Sequence, residues 1–308
     1  MPADTTLVDV AGQLLKISNL NKLFYPAADF TKGSVLDYYI RIAPALLPHL
    51  AGRPLTMKRY PNGATSQFFY QKRCPAHRPP WVNTAALWSE RNETYVDYCV
   101  ISDLPSLVWA VNLAALELHV SLSSAADTSC PSTLVFDLDP GPPATILTCC
   151  QVALLLKKLL DDRQLTSFAK TSGSKGLQIY VPLNTPTGYN HTKDFARMVA
   201  QHLEREHPHL VVAKMAKKLR TGKVFIDWSQ NDEHKTTVCV YSLRARDIPS
   251  VSTPVTWDEV VSAWEDQNEA SLAFDPSRVM ARFEQSGDLF APVLQLQQTL
   301  PLNKKLTP

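Results

Sequence analysis

The stretch Leu134 to Asp139, LVFDLD, is apolar except for two acids, and Pro140-Gly141-Pro142-Pro143 stops it at once. No other feature limits the possible folds of this chain as much. Side chains two apart on a strand project to the same face. Asp137 and Asp139 therefore share one face, and Leu134, Phe136 and Leu138 take the other. Carboxylates about 6–7 Å apart along a strand repel each other unless positive charge lies between them. A hard cation with oxygen ligands meets that need. Taken alone, the pair is a weak signal and reads more readily as a strand end with two solvated acids.

A third acid sharpens the case. Lys223 to Trp228, KVFIDW, sets Asp227 in an apolar strand, with Val224, Ile226 and Trp228 on the opposite face. An Asp between Ile and Trp is costly to bury without a partner. A salt bridge to an arginine would serve. So would a two-metal centre, whose ligand set three carboxylates on two strands match.

Next come the anion-binding candidates. Thr171 to Gly176, TSGSKG, is small, hydroxyl-rich and carries Lys175. Backbone N–H groups in such a loop cradle phosphate and the lysine neutralises it, although the Walker A spacing is absent and a plain hairpin turn is the alternative. Arg244 and Arg246 of LRAR fall on one strand face, and arginine forks suit phosphate oxygens. Arg220 ends a basic run, KMAKKLRTGK, which by itself reads as a solvated face; Lys58 and Arg59 precede a Pro61-Asn62-Gly63 turn. Phe68-Phe69 divides between core and surface on a regular strand, whereas at a loop tip both rings are available to stack on bases.

The formal net charge of the 308 residues is only +2, so the signal for nucleic acid is local rather than global. Six cysteines form no C-x-x-C pair and are expected as free thiols in a reducing cytosol. Cys74 and His77 are three apart, but no second pair follows at zinc-finger spacing. Neither a signal peptide nor a membrane-length apolar run is present in the sequence, which predicts a cytoplasmic, nucleoid-associated protein.

Periodicity predicts helices from Ser34 to Leu50 with Ser34 and Asp37 as a cap pair, from Leu104 to Val120, from Thr145 to Asp162 and from His191 to Glu206. Strands are expected at LTMKRY and FFYQK as a hairpin, then at LVFDLD, SFAKTS, LQIYVPL, VFIDWS and TVCVYSLRA, with short helices and loops after about Pro249. The class is α+β, a mixed α/β protein with helices flanking central antiparallel or mixed sheets.

Together the motifs form a familiar series. VFDLDPG, SGSKGL, KVFIDWSQN and YSLRAR, in this order, resemble the polymerase domain of bacterial ligase D, in the archaeo-eukaryotic primase superfamily. NLNKLFYP, TKGSVLDYY, AGRPLTMKRYPNG, FFYQK and LAALELH extend the likeness over residues 12 to 290 or so. The resemblance implies a primase-polymerase catalytic domain over 1–290, a tail over 291–308, and a free-standing polymerase. It implies that Asp137, Asp139 and Asp227 bind two Mn2+ or Mg2+ ions. It assigns the nucleotide to Lys58, His119, Ser172, Lys175, Arg220, Gln230 and Arg244, with Arg246 in support. Asn19, Lys22 and Lys32 would grip the 5′-phosphate of a downstream strand, and Phe68 and Phe69 would meet the template. The family prefers ribonucleotides. Expected partners are gapped or broken DNA, NTP or dNTP, an ATP-dependent DNA ligase and a Ku-like end-binding protein.

One position departs from the pattern. The family's second motif usually ends in His, and here Gln178 stands in its place. Gln donates a hydrogen bond but carries no charge and passes no proton. Three readings remain open on sequence: a template-dependent polymerase for gaps or breaks, a non-catalytic end-binding module, and a metal-dependent nuclease, which has no use for a triphosphate cradle.

Overall fold

The computed structural model describes residues 5–90 and 92–301, so the final part of the expected tail lies outside the described residues. The chain forms two compact units, each built from three stretches. One comprises the chain up to Ser121, Val238–Ser252 and Phe274–Asp288; the other comprises Leu122–Thr237, Thr253–Ala273 and the chain from Leu289 on.

In the first unit, the hairpin Thr5–Val10 with Gln13–Ser18 precedes a short pair, Leu23–Tyr25 with Phe30–Thr31. The chain then enters the helix Lys32–Leu50. Its cap is Thr31, whose hydroxyl accepts from Ser34 N at 3.1 Å while Ser34 Oγ accepts from Thr31 N at 3.3 Å. This reciprocal pair satisfies two backbone donors that a helix start leaves open. The expected Ser34–Asp37 cap pair is thus replaced by Thr31 and Ser34. Val35, Tyr39, Ile42 and Leu46 along this helix are fully buried.

The main sheet of this unit places Leu55–Arg59 between Ala115–Val120 and Thr94–Cys99, with Thr84–Ser89 outermost. The predicted hairpin is present: Phe69–Gln71 pairs with Leu55–Arg59, setting Lys58 opposite Tyr70 and Arg59 opposite Phe69.

Three expectations are corrected in this unit. The helix expected over Leu104 to Val120 ends at Asn112, and Ala115–Val120 is a strand. Every residue of that strand except His119 is buried, and a short continuous apolar run reads alike as buried helix or central strand. The strand expected over TVCVYSLRA divides into Thr237–Val238 and Leu243–Arg244, because Tyr241 turns the backbone left-handed at φ 63°. Arg246 therefore lies beyond the strand that carries Arg244. Lastly, Cys74 and Cys99 are joined in a disulfide, with Cα atoms 5.0 Å apart, so only Cys130, Cys149, Cys150 and Cys239 are free thiols. The bond also removes Cys74 from any zinc pair with His77.

The second unit is organised by a six-stranded mixed sheet in the order Val211–Val212, Val224–Asp227, Thr133–Pro140, Leu177–Pro182, Phe168–Thr171, Pro254–Val255. The first pair is parallel and the others are antiparallel. Helices Ile146–Asp161 and Tyr189–Glu206 pack on the central strand, and Trp257–Glu265 packs against the former. The mixed α/β class read from the sequence holds. Among the described residues no helix is long and apolar enough to cross a membrane.

The Asp227 strand also stops sooner than expected. Trp228–Gln230 is a single 3-10 turn that Asp227 itself caps, and Trp228 points its indole N–H to Ala213 O at 2.9 Å. Where this strand leaves the sheet, Asn231 takes over its pairing role. Its side chain accepts from Val135 N at 2.9 Å and donates to Val135 O at 2.7 Å. The central strand thus keeps its backbone groups satisfied along the edge that the Asp227 strand has left.

Candidate active site

Register brings the acids together. Asp137 lies directly opposite Asp227 across the antiparallel pair, and Asp139 follows two residues along its strand. On its other side Asp137 faces Gln178, and Gln178 in turn faces Lys170. One polar row, Asp227–Asp137–Gln178–Lys170, therefore crosses four strands. Lys170 is fully buried and donates to Gln178 Oε1 at 2.6 Å. The Gln178 amide donates in turn to Asp137. Burial, then the charges of Asp139 and Asp227, push the Asp137 carboxyl up to about 7, against the Gln178 hydrogen bond and the more distant Lys170.

Each acid already has company. Asp227 Oδ1 accepts from Ser229 N at 3.0 Å, and Oδ2 faces the Gln230 amide at 3.4 Å. Exposed Asp139 lies 4.0 Å from Arg220 Nη1. Among the described residues no three such side chains are gathered as a ligand shell. The donor chemistry fits a hard divalent cation all the same: the oxygens are carboxylate, and such an ion would offset both the burial and the like charges that raise Asp137.

Close backbone contacts hold the phosphate-type elements against this row. A Cβ on Gly176 would meet Leu138 O at 2.0 Å, so the Ser172–Gly176 loop sits directly against the strand between the two acids. Ser172 Oγ accepts from Ser174 N and Gly176 N, both at 3.2 Å, which folds the loop back on itself and leaves Lys175 exposed. Ser172, read from sequence as a ligand to phosphate, is thus also the organiser of its loop. On the other side, a Cβ on Gly141 would meet Arg220 O at 1.9 Å. That approach carries Arg220 to Asp139 and lays its guanidinium 3.7 Å from the centre of the Phe225 ring. Arg220 Nε is buried with no hydrogen-bond partner among the described residues, which suits an anionic ligand.

The first unit holds a second cluster. Glu117, 2% exposed, accepts from Lys58 Nζ at 3.3 Å and Tyr60 OH at 3.2 Å, and lies 2.9 Å from His119 Nε2 and 3.3 Å from Arg244 Nε. Lys58, His119 and Arg244, nominated separately from sequence, are therefore gathered on one carboxylate. Arg246 is exposed. Lys58 Nζ also stands 4.2 Å above the Phe68 ring, and Arg59 lies 5.1 Å over Phe69. Both phenylalanines are nearly half exposed, which settles the sequence alternative in favour of the surface.

A third group gathers at the start of the Lys32–Leu50 helix. Lys22 N donates to Asn19 O at 3.0 Å, and Lys32 N donates to Lys22 O at 2.8 Å. Lys22 Nζ reaches Pro61 O at 2.7 Å; buried Lys32 reaches Ser18 O at 2.7 Å and Asn112 Oδ1 at 2.6 Å. Burial, then the charge of Lys22, hold Lys32 down to about 8. Two lysines thus stand at the start of this helix, with the Lys32 ammonium turned to Ser18 and Asn112.

Sequence reasoning did not nominate Glu117, Lys170, Ser229 or Lys235. Lys235 donates to Ser229 Oγ, one step from Asp227. Strand register would have exposed Lys170, since it stands opposite Gln178. For Ser229 and Lys235 the sequence carried no signal.

Acids in register on neighbouring strands, a lysine loop keyed against them and an arginine alongside bring carboxylates and cations to one place. The comparisons give the chain's lineage. The family model "LigD, primase-polymerase domain" matches residues 31–290. The multifunctional non-homologous end joining protein LigD of Mycolicibacterium smegmatis is 42% identical over 295 residues, covering 95% of this chain and 37% of that protein. The bifunctional LigD of Bacillus subtilis is 32% identical over 290 residues, 94% of this chain and 46% of that protein. The solved polymerase domain of Mycobacterium tuberculosis ligase D, in complex with DNA, superposes with a TM-score of 0.84 at 37% identity, over 91% of this chain and 98% of that one. This chain belongs to the ligase D primase-polymerase domain family, a family of nucleotidyl transferases. It spans less than half the length of these two LigD proteins.

Proposed function

We propose that this chain adds nucleotides, preferably ribonucleotides, to primer 3′ ends at gaps or double-strand breaks in DNA under template direction. The observation that carries the reading is the register of Asp137 opposite Asp227, with Asp139 on the same strand and the Gly176 loop seated against it. Asp137, Asp139 and Asp227 would hold two Mn2+ or Mg2+ ions, whose chemistry is to acidify the primer hydroxyl and to neutralise the departing pyrophosphate. The chain's own residues do the rest. Lys175 and Arg220 bind the phosphates by charge and by N–H donors. Gln230 steadies Asp227, and Gln178 holds Asp137 in place in the row leading to Lys170.

Lys58, His119, Arg244 and Arg246 are assigned to the nucleotide, Asn19, Lys22 and Lys32 to a downstream 5′-phosphate, and Phe68 and Phe69 to template bases. Two relatives are named for non-homologous end joining. On that footing an ATP-dependent DNA ligase and a Ku-like end-binding protein are the proposed partners, in the bacterial cytosol.

Primer extension on a gapped duplex tests the reading, with and without a 5′-phosphate, with NTP and dNTP, and with Mn2+ or Mg2+. Incorporation by the wild-type chain, lost in Asp139→Ala with DNA binding retained, is the expected result. End binding without incorporation would make it a non-catalytic module, and a fully active Asp139→Ala would refute the site.

A further inference from the structure

Glu117 is a buried acid in a cluster otherwise made to attract anions. Strand geometry explains its reach. It stands opposite Lys58 on the neighbouring strand and shares a face with His119 two residues on. Besides the cations, Glu117 Oε1 accepts from Tyr60 OH and from Ala245 N, both at 3.2 Å. Ala245 adjoins Arg244, so the carboxylate holds that segment by its backbone as well as by its guanidinium.

We propose that Glu117 is a positioning residue for the nucleotide, holding Lys58, His119 and Arg244 in one fixed array through its two carboxylate oxygens. This rests on the reading that those three side chains receive the incoming nucleotide. Lys58 spends one of its three N–H donors on Glu117 and Arg244 pairs with it by charge, so both keep donors to present to a phosphate. Without the carboxylate the two cations repel each other and regain rotamer freedom. The ligand must then order them itself, and affinity falls. Burial raises the Glu117 carboxyl, but the His119 hydrogen bond followed by the charges of Arg244, His119 and Lys58 more than offset it and hold the group at about 2. It is therefore a permanent anion at any working pH.

Glu117→Gln keeps the shape and removes the charge. The expected result is a KM for nucleoside triphosphate raised about tenfold or more. The kcat should stay within about threefold and affinity for the gapped duplex should remain close to wild type, while the melting temperature falls because the largely buried cations lose their counter-charge. An unchanged KM overturns the proposal. So does a parallel loss of triphosphate and DNA binding, which marks a merely structural role.

Should Glu117→Gln not fold, Tyr60→Phe carries the test. Deleting one hydrogen bond to Oε1 loosens the carboxylate and keeps its charge, so the triphosphate KM rises about twofold or more; no change refutes the role. Lys58→Ala and Arg244→Ala, measured alongside, separate the two levels. If they weaken triphosphate binding and Glu117→Gln does not, positioning fails while the nucleotide reading stands. If neither weakens it, both fall.

Discussion

Asp137 and Asp227 face each other as direct partners on adjoining antiparallel strands, and Asp139 follows two residues beyond. Burial, then the nearby like charges, raise the Asp137 carboxyl, so keeping it ionised here costs stability. Asp137→Asn removes one charge and keeps an acceptor for Gln178. In divalent-free buffer the variant should melt a few degrees higher than wild type, a gain of about 1–2 kcal/mol. Its primer extension should be lost. Differential scanning calorimetry with chelator, beside an extension assay, checks both; a lower melting temperature counts against the repulsion argument.

Arg220 owes its place to a glycine. Gly141→Ala would drive a methyl group into the Arg220 carbonyl, a rigid backbone atom. The segment must then shift and draw Arg220 away from Asp139. Extension should fall by about tenfold or more, equivalent to about 1.4 kcal/mol, mainly through a higher nucleotide KM. Affinity for a primed template without nucleotide should hold. Steady-state kinetics beside DNA titration reads the split.

The 5′-phosphate assignment carries a pH signature. Lys32 sits at about 8, below its ordinary value, so it is charged at pH 7 and largely neutral at pH 9. The preference for a 5′-phosphorylated gap over an unphosphorylated one should therefore shrink as pH rises through about 8. Lys22→Met lifts the repulsion and should move that loss to higher pH. Kd ratios for the two duplexes at pH 7 and pH 9 decide it, and a flat ratio removes Lys32 from the contact.

How much of this could be read from the chain depended on which periodicity was in view. The acids were visible because period-two alternation placed Asp137 and Asp139 on one face, and LVFDLD has no rival reading as a helix. Glu117 was hidden by the opposite circumstance. In the helix expected through Leu104 to Val120, residues 117 and 119 fall on different sides, whereas in the actual strand they share one. The Cys74–Cys99 bond spans 25 residues and leaves no local spacing to notice. Phe68 and Phe69 show the limit of composition: core packing is the usual fate of Phe, and only the tertiary setting put both on the surface.

Those two rings should contribute unequally. Stacking on a template base is worth about 1–3 kcal/mol by alanine substitution. Both Phe68→Ala and Phe69→Ala should weaken binding to a template overhang by that order. Phe68 also covers Lys58, so Phe68→Ala alone should raise the nucleotide KM as well. Fluorescence anisotropy on an overhang, paired with nucleotide titration, distinguishes the two. Equal effects on nucleotide would argue that Lys58 does not depend on the ring above it.

Gly176 rests on the carbonyl of Leu138, between Asp137 and Asp139. For anyone redesigning substrate choice, this welds two parts usually treated as independent modules. Inserting or lengthening the lysine loop would tug directly on the acids. The adjustable handle is the Lys175 side chain, which can be swapped without disturbing the seam beneath it.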